Sequence, residues 1–205
     1  MPYKEFIDYM NNNTEDKSII EGINHLFSMN HQLRDYVIYS NFTTAPASTK
    51  YHGNYEGGLL EHSVNVMNAL CKFTNDNHLS WERPESPIII GLFHDICKVD
   101  AYKRKESSET LYTGDGTYEK IPVYDGFEYN NETLLKGHGD KSVMMLASLI
   151  QLTVEEVACI RYHMGAFTDK EEWNDYTRAI HEYPNVLWTH HADCYATHVM
   201  EVKHE

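Results

Sequence analysis

Apolar residues recur at helical spacing through most of this chain and give way to strand-like alternation in one middle stretch. Near the start, Tyr3, Phe6, Ile7 and Met10 share a helical face, and Asn11-Asn12-Asn13 is expected to break it. Thr14 reads as the N-cap of the next helix, with Glu15 and Asp16 in the first turn, where the helix dipole favours carboxylates. Ile19, Ile20, Ile23, Leu26 and Phe27 form its buried stripe, and Leu33, Val37 and Ile38 extend that stripe into a third segment. Residues 1–40 are therefore expected to be N-terminal core helices.

Residues 41–58 are rich in Thr, Ser, Pro, Gly and Asn and read as a loop, with Gly57-Gly58 turning the chain into a helix that runs from Leu59 to Phe73. Ser86 is expected to cap the following helix, with Pro87 at its first position. The apolar run Ile88 to Phe93 drives that helix into the core. Val143, Met144, Leu146 and Leu149 mark another helix. Thr153 and Glu156 have capping-box spacing ahead of the helix that holds Cys159 and Ile160. Residues 167–183 read as irregular and polar, and Pro184 restarts a helix through Val199. The tail 201–205 reads as solvated.

The alternating stretch lies at about 100–135. Leu111 to Thr113, a Gly114-Asp115-Gly116 turn and Thr117 to Tyr124 form an expected β-hairpin, with a second turn at Asp125-Gly126 leading into Phe127 to Tyr129. Pro122 assigns at least one strand to an edge, because proline has no N–H to give a ladder. The pattern predicts an all-α bundle with a small β insertion at about 100–135, formed as one domain over residues 1–205. Five tyrosines fall in the insertion (Tyr102, Tyr112, Tyr118, Tyr124 and Tyr129), and cross-strand packing is the expected role of most.

Composition narrows the setting. At 41% hydrophobic and 23% charged residues, the chain has an ordinary globular mix, and no run approaches the ~18 apolar residues of a membrane helix. The start has no secretory pattern, and Cys71, Cys97, Cys159 and Cys194 are scattered without metal or disulfide spacing. A cytoplasmic location is the expectation. The formal net charge is −14. Proteins that track a long phosphate backbone use basic grooves, so long nucleic acid is a disfavoured partner.

The candidate chemistry centres on His94 and Asp95, which end the apolar run Ile88 to Phe93. Two polar groups brought side by side to a core need partners, since a buried, unsatisfied group costs about 1–3 kcal/mol and a charge costs more. A divalent metal suits both. Further His and Asp residues recur along the chain: His62 in Gly-Gly-Leu-Leu-Glu-His-Ser, His138 in Lys-Gly-His-Gly-Asp-Lys-Ser, His163, and Asp193.

The order His62, His94-Asp95, His138, His163, Asp193 resembles the HD-domain superfamily of metal-dependent phosphohydrolases. The wording around His62, His94 and His138 is most similar to the HD domain of certain bacterial 3′–5′ exoribonucleases. The resemblance spans roughly residues 50–197, with Cys97 where the family usually has glycine. It implies a helical HD bundle in which one or two divalent ions (Mn, Fe, Zn, Co, Ni or Mg) activate water for phosphoester hydrolysis. On this reading His62, His94, Asp95 and Asp193 hold one ion, and Asp95, His138 and His163 hold a second or contact phosphate. Asp95 and His94 are the expected catalytic pair. Lys98, Lys50, His52 and Tyr102 are candidate substrate contacts, with surface roles as the alternative for Lys98 and Lys50. His190 and His191 are expected to pack beside the site, and the remaining histidines to be structural or exposed.

The expected substrate is a small nucleotide or cyclic nucleotide. A 3′–5′ exonuclease acting on short single strands and a non-catalytic nucleotide sensor are the alternatives. The oligomeric state is open.

Overall fold

A computed structural model describes residues 1–202, apart from the side chain of Tyr124. Among the described residues the helices are α1 (Tyr3–Asn13), α2 (Lys17–Met29), α3 (His31–Tyr39), α4 (Gly58–Asn77), α5 (Ser86–Phe93), α6 (Gly139–Ala147), α7 (Val154–Arg161), α8 (Trp173–Glu182) and α9 (Asn185–Tyr195). Strands β1 (Tyr102–Tyr112) and β2 (Tyr118–Tyr129) form a single antiparallel ribbon. No helix among these residues is long and apolar enough to cross a membrane. The expected helical architecture with a hairpin insertion is what the chain adopts.

Two central helices set the frame. α5 is buried on every side, as a helix apolar all round must be. It crosses α4 so closely that a Cβ on Gly91 would lie 2.3 Å from the Met67 Cα. α4 packs its other faces on α9 and on the Asn41–Thr43 turn. It begins just after Gly57, whose φ of 87° lies in the left-handed region. Gly91→Ala would push backbone against backbone, which no rotamer change relieves. We expect a loss of about 1–3 kcal/mol in chemical denaturation. A wild-type midpoint for that variant would contradict the close crossing.

The first turn of α7 ties three helices together. Thr153 and Glu156 form the expected capping box, with the Thr153 Oγ1 accepting from the Glu156 N–H at 3.2 Å and Glu156 Oε2 from the Thr153 N–H at 2.9 Å. The fully buried Glu156 carboxylate also accepts from Arg83 at 2.7 Å through both oxygens, and from the Ser86 hydroxyl at 2.9 Å. Glu155 accepts from the Glu82 N–H at 2.8 Å and from Asn185 Nδ2, at the start of α9, at 2.7 Å. The N-termini of α5, α7 and α9 are thus held by two neighbouring carboxylates.

Several local expectations are corrected. α1 continues through Asn11-Asn12-Asn13, where Asn11 and Asn13 donate back to carbonyls four residues earlier. The N-cap of α2 is Asp16, which accepts from the Ser18 N–H, while Thr14 is buried at the end of α1. Ser86 does not cap α5; it is the first helical residue, and its hydroxyl serves Glu156 instead. Residues 173–182 form α8, although the expectation was irregular backbone; none of its residues is fully buried, but Tyr176, Ala179 and Ile180 share a face that packs on the edge of the core. In the tail the Glu201 side chain is buried rather than solvated, Val202 is exposed as expected, and residues 203–205 lie outside the described residues.

The hairpin is longer than expected. Tyr102 pairs with Tyr129 and Tyr112 with Tyr118, and Asp125-Gly126 is a bulge opposite the Arg104–Glu106 register shift rather than a second turn. Pairing continues past it, so the ribbon bends and does not reverse. The tyrosines Tyr102–Tyr129 and Tyr112–Tyr118 pack across the strands at 5.5 and 5.3 Å between ring centroids. At the root, the Asn130 N–H donates to the Ala101 carbonyl and Arg104 pairs with Glu56.

Candidate metal centre

The six candidate ligands come from at or near the ends of five helices. His62 lies in the first turns of α4, His94 and Asp95 follow α5, His138 precedes α6, His163 follows α7 and Asp193 rides on α9. Helix ends release side chains from intrahelical packing, and the α4–α5 crossing and the α7 carboxylates bring those ends to one point.

Asp95 is the hub. Its Oδ2 lies 3.6 Å from His62 Nε2 and 3.5 Å from His94 Nε2. Its Oδ1 lies 2.9 Å from His138 Nε2 and 3.5 Å from His163 Nε2. Asp193 Oδ1 joins the first side, 3.2 Å from His62 Nε2. The other five residues thus divide into two groups on opposite oxygens of one carboxylate. His62, His94, Asp95 and His163 are almost fully buried.

The far ring nitrogens fix how the near ones point. His94 Nδ1 lies 3.0 Å from the Gly91 carbonyl and His163 Nδ1 2.7 Å from the Ile160 carbonyl. A carbonyl only accepts, so each Nδ1 carries the hydrogen and each Nε2 is left as a bare lone pair. Those lone pairs face other ring nitrogens, His94 toward His62 at 3.3 Å and His163 toward His138 at 3.1 Å. Asp95 Oδ1 is buried with no hydrogen bond of good geometry. Imidazole lone pairs and a carboxylate oxygen converging within hydrogen-bond distance suit a divalent first-row cation, and the residues present fit one on each side of Asp95.

Charge follows the same plan. Burial alone would raise Asp95, but Lys98, His94 and His138 outweigh it and hold the carboxyl well below its ordinary range. Lys98 Nζ contacts Asp95 Oδ2 at 2.6 Å, which keeps the ammonium above its usual value in spite of burial. With protein groups alone around it, His62 is buried, yet Asp193 and Glu201 push it up to about 9. Asp95 likewise outweighs burial at His138 and pushes it to about 10.

A cleft of about 550 Å³ opens onto this centre. Lys98, His52 and Tyr102 line it, with Tyr129, Asn130 and Phe167 on the same walls. His52 packs on the His62 ring at 4.9 Å. Burial raises the Tyr102 hydroxyl to about 12. Lys50 is exposed and lies outside the cleft lining, so the structure does not bring it to the site; Tyr51 and His52 fill the wall there. Lys98 is no surface residue but a buried partner of Asp95. His190 packs as expected, its Nδ1 2.8 Å from the His163 carbonyl.

Two residues that sequence reasoning passed over meet the histidines. Glu201 Oε1 lies 3.0 Å from His62 Nδ1, and Cys97 Sγ lies 3.5 Å from His138 Nδ1. Cys97 carried a signal, as the departure from glycine within the His94-Asp95 stretch. Glu201 carried none, because a glutamate near a charged tail has no local pattern.

The chain is 38% identical over 93 residues to dihydroneopterin 2′,3′-cyclic phosphate phosphodiesterase from Methanocaldococcus jannaschii. The matched stretch is 44% of this chain and 33% of that protein, so the chain spans about a third of the length of this relative. No protein-family profile matches the chain. No solved structure matches it.

Proposed function

We propose that this chain is an HD-type, metal-dependent phosphodiesterase that hydrolyses a small nucleotide-like molecule, with cyclic phosphates as the leading class. The observation that carries this reading is the division of five nitrogen and oxygen donors between the two oxygens of Asp95. His62, His94, Asp193 and Asp95 Oδ2 would hold one ion, and His138, His163 and Asp95 Oδ1 a second. When bound, divalent metal supplies Lewis acidity and a water of lowered pKa for in-line attack on phosphorus.

The chain's own groups prepare the site. The Gly91 and Ile160 carbonyls hold the His94 and His163 rings with Nε2 inward. Lys98 keeps Asp95 ionised and stands at the cleft wall, where its charge also meets a phosphate. Tyr102 and His52 are the ring surfaces available to the rest of a substrate. The hairpin, rooted at that wall, is the natural cover in what we read as a single cytoplasmic domain. The cyclic-phosphate preference draws on the printed activity of the archaeal relative. The net charge of −14 favours a small substrate over a long strand.

The test is hydrolysis by the Mn²⁺-loaded protein of nucleoside 2′,3′-cyclic phosphates, cyclic dinucleotides, a short oligonucleotide and a long single strand at equal phosphate. Small cyclic substrates should be cleaved fastest, with the long strand a poor substrate and a poor inhibitor at physiological salt. Fastest degradation of the long strand would replace this reading with the exonuclease one. Tight nucleotide binding without turnover would replace it with a sensor.

A further inference from the structure

The four site histidines solve the same problem in different ways. His94 and His163 lean on backbone carbonyls and His138 on the Cys97 sulfur. His62 alone among them has a carboxylate, Glu201 Oε1, at its Nδ1. Asn65 Nδ2 donates to the same oxygen at 3.1 Å, which fixes the carboxylate between the two. The Glu201 side chain is 6% exposed, and its Oε2 is buried with no hydrogen bond. A carboxylate held that dry, with one oxygen left unpartnered, is kept against its preference for water. The chain delivers it by continuing α9 into a π-helical turn at Ala196–Met200, which packs on α4 and ends at Glu201.

We infer that Glu201 is a positioning residue that makes the two sides of the centre unequal. It accepts the His62 Nδ1–H, fixes the ring with Nε2 toward Asp95 and Asp193, and makes that nitrogen a more basic ligand. Partners of this kind tune affinity by orienting and charging the ligand they touch. The Oδ1 side, with His138 on the Cys97 sulfur and His163 on a backbone carbonyl, has no carboxylate at either outer ring nitrogen. Glu201 therefore strengthens the ion held by His62, His94 and Asp193 and leaves the other nearly unaffected. This inference rests on the proposed reading of the site as a metal centre.

The test needs no substrate. Mn²⁺ binding to the full chain is measured by calorimetry and by elemental analysis, with Asp193→Ala identifying the ion on the Oδ2 side. Glu201→Gln keeps an oxygen that accepts the ring N–H and removes the charge; Glu201→Ala removes both. Affinity for the Oδ2-side ion should fall about 10-fold in Glu201→Gln and toward 100-fold in Glu201→Ala. The other ion should hold at its wild-type affinity, and if a single ion binds it should show the full loss. Asn65→Ala, which leaves the carboxylate in place, should lose less than either. If Glu201→Ala fails to fold by circular dichroism, the Glu201→Gln titration decides. Wild-type affinity in the folded Glu201 variants, or equal weakening of two ions, overturns the inference. Absence of Mn²⁺ binding by the wild-type chain instead overturns the metal-centre reading and this inference with it.

Discussion

Asp95→Ala is expected to abolish stoichiometric metal binding and lower kcat/KM at least ~1000-fold, since a metal supplies several kcal/mol of transition-state stabilisation and each ~1.4 kcal/mol is a factor of ten. Asp95 is the residue whose two oxygens face both histidine groups, at 3.5 and 3.6 Å on one side and 2.9 and 3.5 Å on the other. Removing it would take a ligand from each proposed ion at once and would leave Lys98 buried among imidazoles without its carboxylate. The alanine variant therefore also challenges folding, and Asp95→Asn is the matched companion because it keeps the volume and loses the charge. The measurements are metal per chain by elemental analysis and hydrolysis of a cyclic phosphodiester. Full metal content and wild-type turnover in folded Asp95→Asn and Asp95→Ala would remove Asp95 from the centre.

The second large effect is on stability. Arg83→Ala should destabilise the chain by roughly 2–4 kcal/mol, somewhat below the ~3–5 kcal/mol seen when a buried ion pair loses one partner. The discount reflects Arg83, whose side chain is 32% exposed and reaches water, whereas Glu156 is fully buried. Without the guanidinium, Glu156 retains only the Ser86 hydroxyl and the Thr153 N–H. At about 2–4 °C per kcal/mol for a chain of this size, Tm should fall by roughly 4–16 °C. Adding Glu156→Gln should recover part of the loss, because a neutral amide is less costly to bury unpaired than a carboxylate. An Arg83→Ala variant within about 0.5 kcal/mol of wild type would show that the pair is not what holds α5 to α7.

How much of this was legible beforehand depends on where each signal sits. Stripes such as Ile19, Ile20, Ile23, Leu26 and Phe27 announce their helix because 3.6-residue periodicity is local. The capping box at Thr153 and Glu156 was legible for the same reason. The hairpin was visible from its glycine turn, but its length was not. Whether Asp125-Gly126 bulges or reverses is decided by pairing with Arg104 and Glu106 on the other strand. α8 was missed although Trp173, Tyr176, Ala179 and Ile180 recur at helical spacing and the last three pack on the edge of the core; the polar residues between them hid a stripe that is only partly buried.

The sequence by itself determined the donor types and their order, and the fold gathers His62, His94, Asp95, His138, His163 and Asp193 around one buried carboxylate. Only the tertiary structure decided which oxygen of Asp95 each histidine meets, that Lys98 serves Asp95, and that Lys50 stays outside the cleft. It also decided that Glu201 folds back 139 residues along the chain to His62. The physical reason is range. Periodicity and capping act within one or two turns, so the chain spells them out locally. Ring orientation and hydrogen-bond partners depend on ångström-scale distances between elements, and those distances are set by how α4, α5, α7 and α9 pack.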